Sequence, residues 1–277
     1  MDGIKGAAHI GALKALEEEN IEFEYVAGTS SGSIVATLYS LGFKADEIYD
    51  IFKKYINKIN YFEIKNLFKL IIGLIIKRKI IINGLNTGEK IEKYVNKESE
   101  KKGIKYISEI KKNLLIPAVD LCNGKIYIFS SMKNRNVYSD KIEYIYDIEI
   151  GKAVRASCSY PGIFEPMVYK DTYIVDGGIR ENVPWKELKD CGVEKVISIV
   201  FENEIRKKDE INIFDVLIKS IDILCHELSN YELDGVDYLI KIKTKDIHLL
   251  DKNKIEYLYN LGYIETKSKI NKIINKK

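Results

Sequence analysis

Two places in this sequence combine residue types and spacing that could do chemistry: Gly28-Thr29-Ser30-Ser31-Gly32 and Asp176-Gly177-Gly178. The first is a G-x-S-x-G, the pattern of a nucleophile elbow. There a strand ends, the chain turns sharply, a helix begins, and the serine hydroxyl stands exposed at the tip. Ser30 holds the centre of the motif, and Ser31 begins the helix. Gly28 and Gly32 are expected where neighbouring backbone passes close by. A serine so placed can attack an acyl carbonyl and carry the acyl group. The helix after it turns N–H groups toward any anion formed there. The attack needs a base within hydrogen-bond reach, and a carboxylate serves if its surroundings raise its basicity. Asp176 closes the short apolar run Thr172 to Val175, and Gly177 and Gly178 permit a sharp turn and close approach of a partner. Alone, D-G-G marks only a turn; its interest lies in pairing with Ser30.

The elements that must position these residues can be read along the chain. Ala7 to Glu19 has a helical apolar stripe, Phe23 to Ala27 reads as a buried strand, and Ser31 to Leu41 as a buried helix. Ser30 therefore falls on a strand–turn–helix junction. Helical patterns follow over Asp46 to Lys79 and Glu89 to Val95. Leu114 to Leu121 and Lys125 to Ser130 flank Cys122-Asn123-Gly124 and read as a β-hairpin. Ala153 to Pro166 reads as loop. Strands are expected at Thr172 to Val175, Lys195 to Phe201 and Tyr238 to Ile242, and helices at Asn212 to Asn230 and Glu256 to Ile274. Strands interleaved with helices predict an α/β domain with a largely parallel sheet. No compositional break divides the 277 residues, so a single domain over 1–277 is expected, with the motifs in about 1–201 and an α/β extension over about 202–277.

A serine hydrolase with a Ser-His-Asp triad would have to draw on His226 or His248. His226 lies within an apolar helical pattern and His248 has no supporting context, so neither is expected to act. The elbow also arrives after room for only about one strand, too early for an α/β-hydrolase. A serine–carboxylate pair needing no histidine fits better. Cys122, Cys158, Cys191 and Cys225 are dispersed, which predicts reduced, mostly buried thiols and no disulfide framework. No His or Cys cluster has ligand spacing, so neither a metal nor a cofactor is expected. The net charge of +3 is too small for a nucleic-acid protein.

Together these residues resemble the patatin-like phospholipase family. The resemblance rests on three ordered blocks: Gly3-Ile4-Lys5-Gly6-Ala7-Ala8-His9-Ile10-Gly11, the elbow at Ser30, and Val154 to Pro166 leading into Asp176-Gly177-Gly178 with Asn182 and Pro184. Ala118-Val119-Asp120-Leu121 with Gly124 is similar to the family's middle hairpin. The resemblance implies a three-layer α/β/α patatin-like fold and a Ser30–Asp176 dyad. It also implies hydrolysis of acyl esters of phospholipids, lysophospholipids or neutral lipids, with no metal in the catalytic step. Gly3 and Ile4 would supply oxyanion-hole N–H groups, with Gly6 among the motif glycines and His9 as a packing residue. One departure stands out. The family's loop has successive glycines after a strand, whereas Met1 and Asp2 precede Gly3 here. That departure supports a second class, a lipid-binding homologue with impaired turnover, because one lost oxyanion donor costs about 10²–10³ in rate.

The expected partner is a phospholipid or other acyl lipid, not nucleic acid, met in the cytoplasm or at a membrane periphery; a leader ahead of Met1 would imply export. Leu67 to Ile76 is the longest apolar stretch, ten residues including a lysine, against about 20 for a span. It reads either as a core helix or, with Lys77-Arg78-Lys79 beside it, as a helix lying in a lipid interface.

Overall fold

The computed structural model describes residues 3–59, 63–77, 82–133, 139–203, 212–244, 247 and 251–274. Its elements in chain order are α1 (Gly6–Glu18), β1 (Tyr25–Ala27), α2 (Ser31–Ser40), α3 (Ala45–Ile56), α4 (Ile64–Ile72), α5 (Glu89–Glu100), β2 (Asn113–Asp120), β3 (Ile126–Ser130), β4 (Ile142–Ile145), α6 (Ile150–Ser157), β5 (Met167–Tyr169), β6 (Thr172–Asp176), α7 (Trp185–Asp190), β7 (Ile197–Asn203), α8 (Ile213–Glu232), β8 (Tyr238–Thr244) and α9 (Ile255–Ile274).

β2 is the central strand. Its alternating side chains feed two cores, as the period of a strand requires. Leu114, Ile116 and Ala118 join a large core shared with α1, α2, α3, α5, α6 and α9. Leu115 joins a smaller core with Val183, Trp185, Leu188 and Val196 on the other face. In β3, Tyr127 and Phe129 face the first core, and Ile126 and Ile128 the second. Helices on both faces of a sheet make the α/β/α layering expected from the sequence.

Strand directions are mixed. β1–β2, β3–β4 and β7–β8 are parallel, while β2–β3, β2–β6 and β5–β6 are antiparallel. Short turns make β2–β3 and β5–β6 antiparallel, because a parallel neighbour needs a crossover and a hairpin does not. The turn at Cys122-Asn123-Gly124 joins β2 to β3, with the Cys122 N–H and the Asn123 side chain donating to the Asp120 carboxylate. Among the described residues β7 pairs with β8 in a two-stranded sheet of its own.

The segment read as loop before Pro161 is α6 up to Ser157. Ile150, Ala153, Val154 and Ser157 recur at helical spacing and are buried. Pro161, Gly162 and Pro166 just downstream made the whole stretch look irregular. None of the four cysteines is in a disulfide, and only Cys158 is buried; Cys122 is exposed and the other two are intermediate, so the expectation of mostly buried thiols holds for one of them. Cys158 joins the large core and Cys191 packs against the smaller one, while Cys122 sits on the β2–β3 turn and Cys225 within α8.

Candidate active site

The register of β2 sets the geometry. β1 runs along residues 113–115 of β2 and ends with Ala27 opposite Leu115. β6 runs the other way along residues 118–120 and ends with Asp176 opposite Ala118. β3 takes the opposite edge of β2, so β1 and β6 share one edge and point their C-terminal ends at each other. Ser30 follows one end and Asp176 forms the other. Leu115 accepts the Gly28 N–H at 3.1 Å, extending β1 by one step.

The turns at both ends are tight. A Cβ on Gly28 would lie 2.4 Å from the Gly32 carbonyl oxygen. A Cβ on Gly177 would lie 2.4 Å from the Pro117 carbonyl oxygen and 3.0 Å from the Thr29 methyl. The residue before Ser30 therefore touches the residue after Asp176. Gly32 differs from expectation: a Cβ there would meet only the His9 ring, at 3.7 Å. The backbone passes close at Gly28 and leaves room at Gly32. Gly178 donates its N–H to Asp176 Oδ1 at 2.9 Å, and Gly6 packs against Phe52 and Ser31.

Ser30 has φ 52° and ψ −125°, an unusual conformation for a residue with a Cβ. Neighbours hold it there. Its N–H donates to Ser157 Oγ at 3.1 Å. Its carbonyl accepts from Ser33 Oγ at 2.6 Å and from Cys158 Sγ at 3.2 Å. The next residue, Ser159, accepts the Asp176 N–H on its carbonyl at 3.0 Å. Three consecutive residues at the end of α6 thus grip both turns. Burial, and then the nearby Asp176 charge, push the Cys158 thiol up, which keeps it a donor.

Ser30 and Asp176 both line a cavity of about 420 Å³. Ser30 is half-buried and Asp176 only 2% exposed. Ser31 is buried and lies outside the lining. Consecutive residues of β1 and β7 line the cavity, so it runs between two strand edges. Leu13, Val35 and Trp185 give it apolar walls; Tyr160, Asp222 and Asn182 give it polar ones. Tyr160 donates to Asp222 at 2.7 Å. Burial first, then the charges of Asp222 and Asp176, raise the Tyr160 hydroxyl.

His226 shares the cavity, but its ring meets Asn230 and Glu227. His248 lies outside the described residues. His9 packs as expected, its ring 4.4 Å from that of Phe201, and also borders the cavity. Gly3 and Ile4 form a short 3₁₀ turn running into α1, with Ile4 fully buried. Neither is among the cavity-lining residues. Ser157, Cys158, Tyr160 and Asp222 received no role from the sequence. The first three lie within the block that carried the resemblance, which was the available signal; Asp222 had none.

Comparison with known proteins shows the family and the fold. The family model described as patatin-like phospholipase matches residues 3–189. The uncharacterized protein YqhO of Bacillus subtilis is 30% identical over 282 residues, covering 94% of this chain and 92% of that protein. Lysophospholipase NTE1 of Meyerozyma guilliermondii is 25% identical over 198 residues, covering 71% of this chain but 12% of that protein. Among solved structures, VipD from Legionella pneumophila is similar in fold, with a TM-score of 0.52 at 14% identity, covering 98% of this chain and 65% of that one. With the matching model spanning both the Ser30 and the Asp176 turns, the chain belongs to the patatin-like phospholipase family, a family of lipid hydrolases.

Proposed function

We propose that this chain is an acyl-lipid hydrolase of the phospholipase A or lysophospholipase type, with Ser30 as nucleophile and Asp176 as its base. The observation that carries the reading is the meeting of two strand ends on one edge of β2: one bears a serine at φ 52°, the other a buried carboxylate, and both open on one cavity. Asp176 takes the hydroxyl proton as Ser30 Oγ bonds to the acyl carbon. The tetrahedral intermediate collapses with cleavage of the ester C–O bond, and the leaving alcohol takes the proton from Asp176. Water then attacks the acyl-Ser30 ester, giving a proton to Asp176 that returns to Ser30 as the fatty acid departs.

The Ser30 N–H is engaged by Ser157, so the oxyanion is assigned to other donors. In the first turn of α2 the Gly32 and Ser33 N–H groups go to the Thr29 and Ser30 carbonyls, so the Ser31 N–H is the neighbouring donor assigned to it. Gly3 and Ile4, on the turn leading to Gly6 beside Ser31, are the second source. A second reading, a lipid-binding homologue with slow turnover, draws on the same place, since Gly3 and Ile4 lie outside the cavity lining.

Hydrolysis of a fluorogenic acyl ester by the wild type and by Ser30→Ala tests the reading. The expected outcome is turnover by the wild type and a loss of about 10³-fold or more in the variant. Equal rates in the two proteins refute it. Slow wild-type turnover combined with tight binding of a lysophospholipid supports the second reading.

A further inference from the structure

α4 and the turn after it present large apolar side chains outward. Ile64, Phe68, Ile72, Ile75 and Ile76 are exposed by 73, 61, 46, 73 and 73%. Residues four apart share a helix face, so Ile64, Phe68 and Ile72 form one apolar stripe, which Ile75 and Ile76 extend through the wider turn Gly73–Lys77. Asn66 is instead buried, donating to the Gly84 carbonyl at 3.3 Å and to Glu165 Oε1 at 3.0 Å. A surface helix normally buries its apolar side. Here a polar side chain anchors the helix and the apolar stripe is left outward.

Charge indicates what covers the stripe. From Ile64 to Gly88 the sequence contains no Asp or Glu, in a chain with 41 of them, and it contains Lys65, Lys69, Lys77, Arg78 and Lys79. An apolar stripe on a segment that carries cations and no acid of its own suits an anionic lipid surface, where the stripe inserts shallowly and the cations meet phosphates. A second copy of the chain fits poorly, because a two-fold contact would set this cationic segment against itself. Among the described residues no helix is long and apolar enough to cross a membrane, so the geometry is that of a helix lying on one.

The anchor of α4 leads to the candidate active site. Asn66 holds Glu165, and Leu85 and Asn86 donate their N–H groups to the Ile163 carbonyl. The start of that same segment, Ser157 to Ser159, grips the Ser30 and Asp176 turns. We propose that α4 and the turn after it are the surface by which this protein docks on an anionic phospholipid membrane. That the docked membrane also supplies substrate rests on the hydrolase reading above; the docking does not.

The test is co-sedimentation of the full chain with vesicles of phosphatidylcholine and phosphatidylglycerol in equal parts, beside vesicles of phosphatidylcholine alone. The wild type should bind the anionic vesicles and not the neutral ones. Phe68→Ser with Ile75→Ser and Ile76→Ser should lower the apparent lipid affinity about 100-fold, since three apolar insertions are lost. Hydrolysis of a soluble short-chain ester should stay within about two-fold of wild type, because these side chains lie outside the cavity. Lys69→Glu, a change at an exposed side chain, should weaken anionic binding about ten-fold, and it carries the test if the triple variant does not fold. Wild-type indifference to lipid charge, or unchanged binding by Lys69→Glu and the triple variant, overturns the proposal. So does a wild-type dimer that the triple variant dissolves while vesicle binding persists. Charge-dependent binding that the variants lose, without ester hydrolysis by any of these proteins, supports the docking and counts against the hydrolase reading alone.

Discussion

Ser30 is held in a conformation that costs a residue with a Cβ roughly 1–3 kcal/mol. Its N–H and its carbonyl are gripped from α6 and α2. Ser157 is therefore a positioning residue for Ser30, acting through the backbone. Ser157→Ala leaves the Ser30 N–H without its acceptor; Ser157→Thr keeps the hydroxyl. We expect Ser157→Ala to lower kcat about ten-fold with KM little changed, and Ser157→Thr to recover most of the loss. A purely structural role would show instead as a lower Tm with kcat preserved in the folded fraction. The tight turns at Ser30 and Asp176 were legible in the sequence because glycine-flanked motifs mark such turns directly. Ser157 and Cys158 were not, because their role depends on which turn α6 reaches, and a hydroxyl that accepts or a thiol that donates across the fold leaves no local pattern.

At the scale of elements, the long helices α8 and α9 were legible, and so were short strands beside a motif, such as β1 and β6, but α6 and several short elements were not. Asn212 was expected to open α8, and its side chain accepts the Asp215 N–H at 2.9 Å as an N-cap. β4, β5 and α7, of four, three and six residues, escaped the reading. So did the meeting of β1 and β6 on one edge of β2, since register is a pairing between distant segments. The crossing of α1 and α9 was equally hidden. A Cβ on Gly11 would lie 1.9 Å from the Tyr259 carbonyl oxygen, and one on Gly262 2.0 Å from that of Ala8. The two backbones touch, and neither can yield by a rotamer change. Gly262→Ala should destabilise the protein by roughly 2–4 kcal/mol through forced separation of the helices. Urea unfolding measures it; a loss below about 0.5 kcal/mol, the range of an ordinary surface substitution, would contradict that packing.

Across the whole molecule, charge and surface pattern carry the remaining predictions. Glu187 and Glu232 are buried and Glu181 is half-buried around Asn182 to Trp185, and desolvation holds all three carboxyls above their ordinary range, Glu232 at about 7. An acid raised on folding keeps a proton that the unfolded chain releases. Stability should therefore fall as pH rises from the ordinary carboxylate range through about 7. Thermal melts should show Tm lower at about pH 8 than at about pH 5, by on the order of 5 °C, with Glu232→Gln flattening the slope. A Tm that climbs over that interval would contradict the assignment. The apolar content of α4 was legible, but its outward face was not: composition says that a helix is apolar, and only the anchoring of Asn66 says which side faces in. The central claim, that Ser30 attacks with Asp176 as base, is tested most directly by mapping the site of a fluorophosphonate adduct by peptide mass spectrometry. The account predicts a single adduct on Ser30, absent in Ser30→Ala and formed at least about 100-fold more slowly in Asp176→Asn. An adduct on Ser31 or another serine, or an undiminished rate in Asp176→Asn, would contradict it.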